Sequence, residues 1–269
     1  MLAAVTDVAA LLAAFHQQVR LAGRDADPEH VAERDGPVRR WYPRDPRAHG
    51  AMVENPEGLG DDPATWVARQ RDFFVGRGQQ VEWKTFSYDE PAGLGALLTA
   101  AGFVREDDEA LMLGEAAAMV SLAPQLPPGF VVREVESDED VMAIADLHEL
   151  VWPGSRHTGL GFGDERRARP DLVHGVLVQA AGGGPAVCGA WLRLVEHTQF
   201  GGLWGGATHP EHRHRGFYRA VVAHRARIAL TAGYRYLRSE CTPFSRPILE
   251  RAGLLRVATT TPYVLKPPA

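Results

Sequence analysis

Cysteine is scarce. The 269-residue chain holds two, Cys188 and Cys241. Two thiols cannot build a disulfide framework, and neither a CxxC nor a Cys/His finger spacing surrounds them, so a reduced, cytoplasmic setting is expected. Long apolar runs are lacking too: none approaches the roughly 20 residues that span a bilayer, which sets a membrane partner aside. The opening "MLAAVTDVAALLAAF" has no basic n-region and is interrupted by Asp7, against a secretory leader. Positive charge is short. A net charge of −5 argues against a general nucleic-acid binder, which needs a broad basic face. What remains is an ordinary globular balance, 45% hydrophobic and 23% charged, in a chain long enough for one large core or two ordinary ones.

The chain changes character at "GEAAAMVSLAPQLPPGF", where small residues give way to Pro124, Pro127 and Pro128. Proline removes a backbone donor and favours extended chain. The segment reads as a linker over 116–129 between domains at 1–115 and 130–269. In the first, Thr6 or Asp7 caps a helix through "VAALLAAFHQQVR". Short strands at "PVRRWYP" and "HGAMVE" precede a helix at "DDPATWVARQRDFFVGRG", with Pro63 in its first turn and Gly76 or Gly78 ending it. A strand "QVEWKTFS", a helix "PAGLGALLTAAG" and one strand "FVREDDEALMLG" complete it.

In the second, "FVVREV" suits a strand and Ser137 caps "DEDVMAIADLHELVW". "HGVLVQA" and "AVCGAWLRLVEH" form a hairpin, and the strand "GLWGGATH", a basic turn and a helix to Ala232 follow. "YRYLRSEC", "SRPILERAG" and "LRVATTTPYVL" close the chain as strand, helix and strand. Both halves end alike, "VEWKTFSYDEPAGLGALLTAAGF" against "YLRSECTPFSRPILERAGL", which points to two related domains.

The basic turn carries the chemistry. A strand that stops at Pro210 and re-enters as a helix leaves several N–H groups without intrahelical partners, and these donors with the helix dipole suit a phosphate. Gly216 lets the backbone approach a ligand or take a conformation other residues resist. Arg213 and Arg215 add fixed charge. No glycine-lysine-serine/threonine sequence follows, so the turn is not a Walker loop.

Here the sequence resembles the GNAT superfamily of acyl-CoA-dependent N-acyltransferases. The family signature Gln/Arg-x-x-Gly-x-Gly/Ala is matched by Arg213, Gly216 and, in place of the small residue, Tyr218. The resemblance extends in element order from Phe130 to Leu265. It implies an α/β fold of the α+β type: two GNAT-like domains, each a mixed, mainly antiparallel sheet flanked by helices. A splayed parallel strand pair is expected in the C-terminal domain, which binds acetyl-CoA or another short acyl-CoA. The N-terminal domain lacks the turn and is expected to be degenerate.

By the same resemblance, the amides from His214 through Arg215, Gly216 and Phe217 to Tyr218 cradle pyrophosphate. Gly206, Ala207 and Thr208 pair with pantetheine, and an amide there polarises the thioester carbonyl. The acceptor is a primary amine of a small molecule or protein, and a homodimer is an assembly the family allows.

Amine attack needs a base and the departing thiolate a proton. Glu240, on the strand beside the splayed one, is the first base candidate, and Glu196 with His197 the second. Many family members place an acidic tyrosine where this chain has Leu249. Ser245 is a candidate donor, or a plain helix cap. Trp152, His157, Phe162 and Asp164 follow the first helix of the second half and are candidate acceptor contacts, or loop surface. Cys241 reads as a small buried thiol. His209, His212 and His214 fit no metal spacing, so no metal is expected. A non-catalytic acyl-CoA sensor stays open as the rival function.

Overall fold

The computed structural model describes residues 7–267. The first half runs α1 (Val8–Phe15), a π-turn at His16–Arg20, β1 (His30–Asp35), β2 (Val38–Pro43), β3 (Ala51–Glu54), α2 (Pro63–Arg77) and β4 (Val81–Phe86). Then come α3 (Leu94–Ala100), β5 (Val104–Arg105), β6 (Glu109–Glu115) and α4 (Ala116–Ser121). The second half holds β7 (Phe130–Glu134), α5 (Asp138–Val151), α6 (Arg156–Ala168), β8 (Val173–Ala180), β9 (Cys188–Leu194) and β10 (Phe200–Thr208). It ends with α7 (Phe217–Thr231), β11 (Tyr236–Cys241), α8 (Arg246–Arg251) and β12 (Leu255–Leu265).

The chain forms two compact units that do not follow its length in simple halves. One contains Met112–Arg256, the other Leu12–Leu111 with the chain from Val257 onward. The closing strand β12 therefore belongs mostly with the first half, while the second part of β6 goes with the other unit. The repeated ending seen in sequence is real, but each half does not keep its own last strand.

In the unit that holds Leu12–Leu111, the strands run β1-β2-β3-β4-β12, with β5 also on β12. Neighbours are antiparallel except β3 and β4, which pair in parallel. Val38, Val53, Phe74, Trp83, Leu98 and Phe103 fill its core. Helix α2 starts where expected: Pro63 sits in the first turn and Asp62 accepts from the Thr65 amide at 3.3 Å. Gly78, at φ 63°, ends it in the left-handed region. At the other end of the chain Asp7 caps α1, accepting from the amides of Ala9 and Ala10, and Thr6 lies outside the described residues. Strand β1 was not legible, and "EDD" at 106–108 splits the expected strand into β5 and β6.

The other unit orders its strands β6-β11-β10-β9-β8-β7, with β10 and β11 parallel. One face packs under α5 and α6 through Val141, Ile144, Phe162 and Trp191. The opposite face packs under α7 through Val176, Cys188, Phe217 and Val221. Ser137 and Asp140 close a reciprocal cap on α5. The Arg133 guanidinium, with the amides of Glu136 and Ser137, holds the Asp140 carboxyl down to about 2. Within the expected linker, α4 is a helix of this unit. The carbonyl of Leu122, just past it, accepts from Arg219 on α7 at 3.0 Å, so this stretch is anchored to the domain.

Helix α6 carries His157, Phe162 and Asp164 and so corrects the reading of these residues as loop surface. Three glycines lower its helix propensity, yet two of them are what let it pack. A Cβ on Gly159 would lie 2.6 Å from the Ala145 Cα, and one on Gly163 2.4 Å from a Val141 methyl. Close backbone approach of α6 to α5 offsets the propensity cost. Gly161 faces open space. Gly159→Ala is therefore expected to destabilise the protein by about 1–3 kcal/mol, and Gly161→Ala to stabilise it by about 0.5–1 kcal/mol. Chemical denaturation of the two variants checks the pair, and equal effects would contradict the packing.

Candidate functional site

Strands β10 and β11 pair only at Phe200–Tyr236, Gly201–Leu237 and Gly202–Arg238. Beyond Gly202 they part, although β10 runs on to Thr208. The cause is visible on the other edge, where pairing with β9 shifts register between Trp204 and Ala207. An extra residue there bends a strand and adds twist. Gly205 takes φ 61°, and a Cβ on it would lie 1.9 Å from the Trp191 ring. Only glycine satisfies both demands. The His209 amide donates to the carbonyl of Val187, just before β9, so by strand alternation the backbone groups of Thr208 and Gly206 face the opposite, open edge. Gly206 is exposed.

The bulge leaves carbonyls that the ladder no longer serves. Arg225 on α7 donates through Nη1 to Trp191 O at 2.9 Å and to Trp204 O at 3.3 Å. His148 on α5 donates through Nε2 to Gly205 O at 2.9 Å. Two side chains, from helices on opposite faces, thus hold consecutive carbonyls of the bulge. Below it Trp191 stacks on Phe162, with centroids 5.0 Å apart. Arg225 is fully buried. Burial lowers its pKa, with Tyr218 opposing the shift.

After β10 the chain turns through His209–Gly216. His214 at φ 62° and Gly216 at φ 84° are both left-handed. Gly216 has room for a Cβ, with Pro124 3.6 Å away, so its conformation, not space, calls for glycine there. Among the described residues, the amides from His214 to Tyr218 donate to no acceptor. Successive free amides at a helix N-terminus form an anion-binding concavity. Arg213 reaches back to Thr208 O at 3.4 Å, and Arg215 lies against His212 Nδ1 at 3.0 Å. Both are exposed. His209 and His212 meet edge-on, with centroids 5.4 Å apart, and among the described residues no three or more of His, Cys, Asp and Glu gather as metal ligands would.

The structure gathers some of the sequence candidates and scatters others. Glu240 shares a face of β11 with Arg238, pairs with it at 2.9 Å and is half-buried beside the open gap. Arg238 in turn lies over Trp204. Glu196 lies in the turn past β9, bound to exposed Arg169. Ser245 stands at the N-cap of α8, where its carbonyl accepts from the amides of Ile248 and Leu249 and its hydroxyl makes no capping bond. Leu249 is fully buried.

Phe162 is 1% exposed beneath Trp191, which makes it core and corrects its reading as an acceptor contact. Trp152 is exposed at the end of α5, His157 bonds Gly154 O, and Asp164 pairs with Arg167 on the surface. Cys188 is fully buried and its thiol is pushed up to about 11. Cys241 is buried as expected.

His148, Trp191 and Arg225 were missed. For two of them the signal was present: a histidine on the apolar stripe of α5 with Val141, Ile144 and Ala145, and an arginine on that of α7 with Val221 and Val222.

The turn between β3 and α2 in the other unit occupies the same place in a strand–turn–helix order, with opposite chemistry. It carries Glu57, Asp61 and Asp62, and the Asp62 carboxylate already fills the end of α2. Asn55 is fully buried, accepting from Trp83 Nε1 at 2.9 Å and donating to Glu90 O at 3.2 Å, so side chains bridge the ends of β3 and β4.

Burial lowers the pKa of His148 below its ordinary 6.5, with the Gly205 carbonyl opposing. His16 and His224 are lowered for the same first cause. The unfolded chain takes these protons first, so stability is full above pH ~6.5 and falls as the pH drops through the depressed values. The melting temperature is expected to decline from about pH 7 to 5, less steeply in His148→Gln, which does not titrate. An unchanged slope in that variant would remove His148 from the acid response.

No protein-family model matches the chain, and comparison with curated proteins finds no match. Solved structures do match. A GCN5-related N-acetyltransferase from Kribbella flavida superposes with TM-score 0.73 at 17% identity, covering 99% of this chain and 98% of that one. A tandem GNAT protein from the clavulanic acid biosynthesis pathway gives 0.64 at 12% identity, over 91% and 86%. A GCN5-related N-acetyltransferase from Sphaerobacter thermophilus gives 0.61 at 17%, over 81% and 74%. Over nearly its whole length, this chain has the fold of the GCN5-related N-acetyltransferases.

Proposed function

We propose that the chain is an N-acyltransferase that moves an acetyl or short acyl group from acyl-CoA to a primary amine of a small molecule or protein. One observation carries the reading: the parted strands β10 and β11 open beside a turn whose amides, from His214 to Tyr218, are free. The residues fit the donor. The turn takes the pyrophosphate, with Arg213 and Arg215 adding charge. The open edge at Gly206 and Thr208 offers backbone groups to the pantetheine arm. An amide of that edge receives the carbonyl oxygen as charge develops on it. The amine nitrogen attacks the thioester carbon, the tetrahedral intermediate collapses, and the C–S bond breaks to give amide and CoA thiolate. Glu240 is the base we favour, because it lies on β11 at the gap whereas Glu196 lies in the exposed turn past β9; each carboxylate pairs with an arginine, Arg238 and Arg169. Ser245 remains the candidate for returning a proton to sulfur.

A second reading, acyl-CoA binding without turnover, draws on buried Leu249, which offers no proton, and on Arg238 beside Glu240. CoA release from acetyl-CoA across an amine panel separates the two. Release supports the enzyme, and tight binding without release selects the sensor.

Calorimetry is expected to give one CoA per chain, because Asp62 fills the helix end that corresponds in the other unit. Gly216→Pro forbids φ 84° and removes a donor, so CoA binding is expected to vanish while the fold survives. Arg213→Ala keeps every amide and is expected to weaken binding by about 1.5–3 kcal/mol, less at high salt. A folded Gly216→Pro protein with wild-type CoA affinity would overturn the site.

A further inference from the structure

Tyr218 is the residue at which the turn departs from the small side chain expected, and it is half-buried. It leaves the first turn of α7 and lies under β10, so that a Cβ on Gly206 would be 2.4 Å from its Cε2 and 2.9 Å from its hydroxyl. Gly206 lies beyond the last paired residue of β10, Gly202, where β11 has already diverged. The ring also packs on the buried cluster that holds Cys188 of β9 with Phe217 and Val221 of α7. It is thus bounded by β9, β10 and α7. It closes the gap from the α7 side.

We propose that Tyr218 sets the length of the acyl group that the gap accepts, its ring forming a floor that stops the donor at short chains. The proposal rests on the acyl-donor reading above. A group entering between the strands at Gly206 meets the phenol, and no glycine or alanine at 218 would stop it there. Behind the ring lie Cys188, which is fully buried, and the fully buried guanidinium of Arg225. Taking the phenol away uncovers this space instead of letting the helix collapse onto the strand, because Arg225 fixes α7 to the carbonyls of Trp191 and Trp204.

The test measures the affinities of acetyl-CoA and hexanoyl-CoA for the wild-type protein and for Tyr218→Ala and Tyr218→Phe, by calorimetry and without an acceptor. Wild type is expected to favour acetyl-CoA by about tenfold or more. Tyr218→Phe keeps the ring and the preference, while Tyr218→Ala brings the ratio near one. Should the alanine variant fail to fold, Tyr218→Leu gives an intermediate ratio. Gly206→Ala reads the contact itself: it is expected to weaken acetyl-CoA binding in the wild-type background and to have little effect beside Tyr218→Ala. A folded Tyr218→Ala or Tyr218→Leu protein with the wild-type ratio overturns the proposal and leaves the acyl-donor reading standing. A wild-type protein that binds neither thioester overturns both.

Discussion

The site depends on two hydrogen bonds that reach one strand from opposite faces. A bulge in β10 opens the gap, but a bulge also strands its own carbonyls, and buried carbonyls without partners cost free energy. Arg225 takes that of Trp204 and His148 that of Gly205. Arg225 brings its own cost, since a guanidinium buried without a carboxylate is expensive to desolvate. Its bonds to backbone oxygens offset that cost only while the bulge is in place. Bulge and arginine are therefore mutually dependent, and the divergence of β10 from β11 is fixed by the core and not by the loop that follows.

The two units show how little separates a binding turn from an inert one. Each places a helix between two strands that pair in parallel, and each helix offers unpaired amides at its start. In one unit the chain supplies its own carboxylate, Asp62, and a bridging Asn55 between the strand ends. In the other the amides stay free, the flanking charges are arginines and the strands part. The helix dipole is common to both. What differs is whether the fold has already satisfied it.

The parts of this architecture that depend on local order were legible. Caps at Asp7 and Ser137, the hairpin of β8 and β9, the basic turn and the helix after it all follow from near neighbours in sequence. What failed to show depends on distant partners. Helix α6 exists because Gly159 and Gly163 meet Ala145 and Val141, a contact no propensity records. The exchange of β6 and β12 between units leaves each strand with the same alternating pattern wherever it pairs. Phe162 looked like an exposed aromatic near a binding loop until Trp191 covered it. Buried polar residues escaped for the same reason: the partners of His148 and Arg225 are backbone carbonyls that only the bulge makes available.

The departure at Tyr218 also becomes intelligible through a distant partner. Read alone, a tyrosine where a small residue is expected casts doubt on the turn. Read with Gly206, it is one half of an exchange of volume, since the strand position facing the ring carries no side chain. A glycine inside a strand weakens it and marks close approach of something else, and here that something is the phenol. The turn can keep its free amides at Gly216 and Phe217 because the bulk one residue later is directed under β10 and away from the anion cradle. Tyrosine and glycine thus preserve the turn while changing the shape of the gap, which separates where a phosphate would bind from what can lie between the strands.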